Sequence, residues 1–254
     1  MKLTADYHTH TPFSHGKNTV FENVFAAKEK GLKEIAIADH GFSHLAFGLG
    51  RKEVPLLKEQ TKAAEKECGV KVLVGVEANL LGESGKTDLK ESDYENFDVF
   101  LCGYHLLVAP STPSDFFQML VRNSLKIKAN ESIIKRNTRT YLNAIKNKPI
   151  DVVTHLSYRF PCDTLEVAKC AADYGTYIEL NSKKIHLTDE ELNEIIVKTQ
   201  ARFVVDSDAH SADRVGDMKI VEEQLARLAF PLDRIDNIDG KLPTFRFSEY
   251  KARR

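Results

Sequence analysis

Seven short apolar runs of strand length recur along the chain, at residues 3–7, 34–38, 71–76, 99–103, 151–154, 176–180 and 202–205. Between them lie longer segments whose apolar residues repeat at helical spacing. Such alternation calls for a parallel sheet with helices outside it, because a parallel crossover is long enough to hold a helix. Seven such units in 254 residues suit a closed or nearly closed (β/α) barrel better than an open sheet. A single α/β domain over residues 1–254 is expected.

The helical segments carry their own boundary signals. In 19–30, Val20, Val24 and Ala27 share one face, Thr19 precedes Glu22 as a capping box, and Gly31 is a natural stop. Segments 53–68, 163–174, 188–199 and 217–228 read likewise, with Asp163 three before Glu166 and Thr188 three before Glu191. Residues 111–150 break the rhythm as a helical insertion, read as two helices. Its part with Lys126, Lys128, Lys135, Arg136 and Arg139 is basic, either a solvated helix face or a lip that attracts an anion. No internal repeat or interdomain linker is present.

The residues just past the strands are unusual. His8, His10 and His15 come after the first run, His40 after the second, Glu77 after the third, His105 after the fourth, His155 after the fifth, and Asp208 and His210 after the seventh. In parallel barrels the working residues stand at the C-terminal strand ends. The i, i+2 pairs His8/His10 and Asp208/His210 point the same way on an extended chain. A lone histidine after a strand is commonly a hydrogen-bonded structural residue. So many polar groups on one rim would each need a partner, and a metal cluster supplies them. Imidazole with carboxylate suits zinc, manganese, iron or cobalt, and this many ligands points to two or three ions. Only His44 and His186 stand outside the set. His44 reads as an exposed loop residue or an accessory group at the mouth.

Composition narrows the classes further. The net charge is −1 with both signs interleaved, so a dedicated nucleic-acid surface is not expected, while a small phosphorylated substrate is compatible. Cys68, Cys102, Cys162 and Cys170 form no regular framework and read as free thiols of a reducing cytoplasm. No apolar stretch approaches the about 18 residues of a membrane span, and no signal region opens the chain. A cytoplasmic protein is expected. Oligomeric state is not legible.

The chain resembles the PHP (polymerase and histidinol phosphatase) family of metal-dependent phosphoesterases over essentially its full length. The matching segments are Asp6-Tyr7-His8-Thr9-His10-Thr11, Ala36-Ile37-Ala38-Asp39-His40-Gly41, Gly75-Val76-Glu77-Ala78-Asn79, Gly103-Tyr104-His105, Val153-Thr154-His155, Glu179-Leu180-Asn181 and Asp206-Ser207-Asp208-Ala209-His210. The resemblance implies a distorted seven-stranded (β/α)7 barrel that typically holds three metals. It assigns His8, His10, Glu77 and Asp208 to one ion, and His15, His40 and His210 to a second. Glu77 would bridge to a third, held also by His105 and His155. The loop Leu156-Ser157-Tyr158-Arg159-Phe160 matches no particular subfamily.

The expected chemistry is hydrolysis of a small phosphomonoester by a metal-activated hydroxide, with no organic cofactor. No G-x-S-x-G elbow offers a serine nucleophile. Glu77, Asp208 and His210 would serve catalysis, with Arg159 and Arg214 favoured for phosphate and Lys183 and Arg51 weighed beside them. Asp6, Asp39 and Asp206 suit the orientation of imidazoles. The loop Gly48-Leu49-Gly50 reads as a mobile lid or turn. A phosphodiesterase or 3'-5' exonuclease, and a non-catalytic metal-dependent regulatory domain, are the alternatives. A metal-dependent amidohydrolase shares the H-x-H opening but would carry a bridging lysine where this chain has Glu77.

Overall fold

The computed structural model describes residues 1–121 and 130–254. Its core is one sheet of seven parallel strands in sequence order. These are β1 Ala5–Thr9, β2 Glu34–Ile37, β3 Lys71–Asn79, β4 Val99–Gly103, β5 Val152–Val153, β6 Tyr177–Asn181 and β7 Phe203–Asp206. The crossovers carry α1 Val20–Glu29, α2 Val54–Cys68, α3 Glu131–Asn147, α4 Thr164–Tyr174, α5 Asp189–Lys198 and α6 Lys219–Leu228, and α7 Arg246–Ala252 comes last. Both Thr-x-x-Glu capping boxes form, at α1 and α5, and Asp163 caps α4. α6 starts at Lys219 rather than 217, because Asp217 accepts the Lys219 N–H and pairs with Arg214 instead.

The barrel closes through a wedge. At the top His10 N–H donates to Ala209 O at 2.8 Å and Ala209 N–H to His8 O at 3.1 Å. Lower down, Asn237 stands in for a missing stretch of ladder. Its amide donates to Ala5 O at 2.9 Å and Val205 O at 2.7 Å, and its carbonyl accepts from Val205 N–H at 2.9 Å. One side chain thereby satisfies both strand edges, which would otherwise be left unpaired.

Apolar residues form two layers. Val24, Leu57, Ile145, Val167 and Ile195 pack the helices onto the outer sheet face. Ala5, Tyr7, Ala36, Val99, Leu101, Val152, Tyr177 and Val204 fill the barrel interior. By the two-residue period of a strand, the inward positions above that interior layer are Glu77, Gly103, Thr154, Glu179 and Asp206. β1 breaks the period, because its register against β2 slips between Asp6 and Thr9. Such a bulge re-aims the chain, so Tyr7 joins the interior while His8 and His10 still reach the rim.

In the insertion, Pro113–Asp115 is one helical turn continued by the π-helical Phe116–Val121, and α3 forms most of the rest. Lys126 and Lys128 lie outside the described residues. The other basic residues are engaged: Lys135 pairs with Glu131, Arg139 with Glu83 at 2.6 Å, and Arg136 is buried and donates to Asn137 at 2.7 Å. Each of these three is partnered within the protein. The four cysteines are free thiols, and no described helix is long and apolar enough to cross a membrane.

Candidate metal centre

Glu77 stands inside β3 rather than after it, fully buried, with each oxygen facing a different set of imidazoles. Oε1 lies 2.8 Å from His155 Nε2 and 3.2 Å from His105 Nε2, and those two nitrogens are 3.2 Å apart. Thr154 Oγ1 donates to the same oxygen at 2.9 Å. Oε2 lies 2.8 Å from His40 Nδ1 and 3.3 Å from His8 Nε2.

A second carboxylate closes a cage. Asp208 Oδ1 is 3.4 Å from His10 Nε2 and 3.8 Å from His8 Nε2, and His10 Nε2 is 3.8 Å from Glu77 Oε2. Ligand atoms bound at about 2.0–2.2 Å in tetrahedral array stand about 3.3–3.6 Å apart, so these separations suit an ion. His15 completes the upper rim, with ring centroids 4.2 Å from His210 and 4.8 Å from His40. Three overlapping triads, His8/His10/Glu77, His10/His40/His210 and His40/Glu77/His105, have ligand atoms within 4.8 Å of one another.

The donor set fits divalent ions on a further ground. His8 Nε2, both nitrogens of His10, His40 Nδ1, His155 Nδ1 and Glu77 Oε2 are buried without an aligned hydrogen bond. Stranding so many polar atoms is costly unless something outside the protein satisfies them. Protonation agrees. Burial, with His40 beside it, holds His10 well below the usual histidine range, and burial lowers His40, His105 and His210 as well. Burial and His210 push His15 down to about 3. Burial opposes the charge on Glu77, but His105 and His8 hold it well below the usual carboxylate range. Asp208 likewise overcomes its burial through His8. Neutral imidazoles and ionised carboxylates are the states a metal binds.

The ligands are held from behind. Glu179 Oε1 meets His8 Nδ1 at 2.5 Å and Oε2 accepts the His155 backbone N–H at 2.5 Å. Asp88 takes the Asn79 amide at 2.6 Å, which turns the Asn79 carbonyl to His105 Nδ1 at 2.8 Å. A proton fixed on Nδ1 leaves Nε2 free on both rings. This orienting role falls to Glu179 and Asn79, not to Asp6, Asp39 and Asp206. Those three bond no imidazole among the described residues: Asp39 holds Thr11 and Ser14, Asp6 holds Ser207 and Gly216, and Asp206 holds the Tyr7 N–H.

Backbone strain clusters here too. His155 has φ 30° and Asp208 φ 48°, left-handed values unusual for such residues. Asp208 and His210 therefore do not share an extended i, i+2 face as their spacing suggests. His210 folds back so that Nδ1 lies 2.9 Å from the Asp208 carbonyl.

The cluster floors a cleft of about 480 Å³ that Arg159, Lys183, Lys184, Tyr158, His44 and His186 also line. Lys183 Nζ lies 3.2 Å from Asp208 Oδ1. His44 is half-buried rather than an exposed loop residue, its ring 5.3 Å from that of His40. His186, which nothing in its spacing marks, comes 5.9 Å from His155. Arg214, expected at the phosphate, does not line the cleft: its guanidinium donates to Ser182 O at 2.9 Å and pairs with Asp217 at 2.5 Å. Arg51 pairs with Asp93 at 3.0 Å over the Phe42 ring. The Gly48–Gly50 loop is a packed turn: Leu49 is buried, and a Cβ on Gly48 would lie 2.8 Å from two backbone carbonyl oxygens.

Comparison with known proteins gives the family and the fold. The family model for the PHP domain matches residues 6–183. A "Probable phosphatase" of Thermoanaerobacter sp. (strain X514) is 30% identical over 96% of this chain and 95% of its own length. One from Caldanaerobacter subterraneus subsp. tengcongensis is 31% identical over 85% of this chain and 80% of its own. Histidinol phosphate phosphatase of Lactococcus lactis, solved with zinc, L-histidinol and phosphate, shares the fold with a TM-score of 0.60. Its identity is 16%, covering 91% of this chain and 95% of that one. A family model spanning well over half the sequence, with relatives aligned along nearly all of it, shows that the chain belongs to the PHP domain family.

Proposed function

We infer that this protein is a phosphatase of small phosphomonoesters, working with up to three divalent ions held among His8, His10, His15, His40, Glu77, His105, His155, Asp208 and His210. Its family and its phosphatase relatives make it a metal-dependent phosphoesterase. The finer reading rests on one observation above all: Glu77 turns its two oxygens to two separate sets of buried imidazole nitrogens.

Ions bound there supply activated water and neutralise charge on the phosphoryl group. The chain's own residues do the rest. Glu179 and Asn79 fix the ring tautomers, and the apolar interior beneath keeps the floor dry. Arg159, Lys183 and Lys184 put three cations on the cleft wall, where a phosphate dianion is received. A small phosphorylated compound such as histidinol phosphate suits a cleft of about 480 Å³.

The test pairs elemental analysis of purified protein with hydrolysis of an aryl phosphomonoester, for wild type and Glu77→Ala. Two to three metals per chain, with turnover lost in the variant, is the expected result. A fully metallated protein that cleaves only diesters or nucleic-acid ends would replace this reading with the diesterase one.

A further inference from the structure

The cleft has two unlike walls. Arg159, Lys183 and Lys184 come from the loops after β5 and β6. Phe47, Leu106 and Leu107 come from the loops after β2 and β4, the latter beside the β5 loop that carries Arg159. Phe47 stacks on His15 at 4.7 Å yet stays 42% exposed, and Leu107 is 50% exposed. This apolar wall is built rather than frayed. Leu45 N–H donates to Leu107 O at 2.8 Å and Ala109 N–H to Ser43 O at 3.1 Å, tying the two loops in a short antiparallel ladder. Leu107 is held there at φ 59°, a conformation a branched side chain adopts at a cost.

Resting on the phosphatase reading above, we propose that the Phe47–Leu106–Leu107 wall selects substrates whose leaving group carries an apolar body. With phosphate held at the cluster and the cationic side chains, Phe47, Leu106 and Leu107 are apolar surface of the same cleft open to the leaving group. A polyhydroxylated leaving group would lose hydrogen bonds to water there without replacement. An alkyl or aryl group would bury surface that the protein leaves exposed.

The experiment is a series of alkyl phosphates (methyl, propyl, pentyl, 2-phenylethyl) against glycerol phosphate, read as phosphate release by the metal-loaded protein. The alcohols of the alkyl series differ little in acidity, so the series reads recognition more than leaving-group chemistry. The expected result is a kcat/KM that climbs with apolar size, by up to about fourfold per methylene. Leu107→Asn, a residue that tolerates the left-handed backbone, should flatten the climb while inorganic phosphate still inhibits competitively. Phe47→Gln serves as the second variant if the first does not fold. A flat series, or a preference for glycerol phosphate, would overturn the inference and leave the phosphatase reading standing. A climb unchanged in both variants would overturn the assignment to this wall. No release from any monoester would remove the phosphatase reading, and this inference with it.

Discussion

Glu179 grips His8 from behind, its Oε1 2.5 Å from Nδ1, while its other oxygen takes the His155 backbone N–H at 2.5 Å. One carboxylate thus positions a ligand of each half of the cluster. In Glu179→Gln the new amide can accept from only one of the two donors and presents an N–H to the other. Metal affinity should fall by about 10- to 100-fold, the usual cost of losing such a partner. Titration with a competing chelator would measure it. Unchanged affinity would show that the ring of His8 is held by packing alone.

Gly103 makes room for His155. A Cβ at position 103 would meet Thr154 Oγ1 at 2.3 Å and His155 Cε1 at 2.6 Å. Both neighbours touch Glu77, so Gly103→Ala should dislodge a ligand without replacing one. Overpacking of this kind costs about 1–3 kcal/mol. The expected outcome is about one metal fewer per chain by elemental analysis, from displacement of His155, with the barrel's circular dichroism retained. Full metal content in the variant would count against the placement of His155.

How far the sequence reveals this arrangement depends on what each residue must do. His8, Glu77 and Asp208 are legible because ligand chemistry restricts residue type and strand ends restrict position. Glu179 is less so: a glutamate in an apolar run looks the same whether it meets a histidine or solvent. The bulge that lets Tyr7 and His8 both face inward lies in the pairing with β2, not in the residues of β1 alone. Arg159 and Arg214 each stand four residues past a histidine, yet only Arg159 lines the cleft. The Ser182 carbonyl and Asp217 hold the other, and neither contact is visible along the chain. The same limit hid His186, brought in by the loop after β6.

Removing metal should lower the melting temperature, since ligand bound only to the folded state stabilises it. At a free-metal concentration of 100 Kd one site contributes about 2.7 kcal/mol. For a chain of this size that corresponds to a shift of about 5–10 °C. Thermal scans before and after chelation, with metal content checked, would show it. Glu77→Ala, lacking the carboxylate shared by both halves, should show a much smaller shift. A wild-type curve indifferent to verified metal removal would sink the cluster as a folding element.

Loading the cluster at pH 7 should release protons. Burial opposes charge on His8, but Glu77, Glu179 and Asp208 raise its pKa well above the ordinary value. His155 is raised likewise, against its burial, by Glu77 and Glu179. His10, His15, His40, His105 and His210 are lowered and neutral there, and Glu77 and Asp208 are already ionised. His8 and His155 are the ligands whose surroundings favour a proton, so affinity should rise with pH as they become neutral. Calorimetry in buffers of different protonation enthalpy would count the protons, and a count near zero would mean both rings are already neutral without metal. The sign also fixes how the metal-free fold behaves. A raised histidine pKa stabilises the fold below the ordinary value, and that contribution is lost as pH rises through the raised one. The protons on His8 and His155 thus offset carboxylate crowding at low pH, and metal takes over that role as they leave.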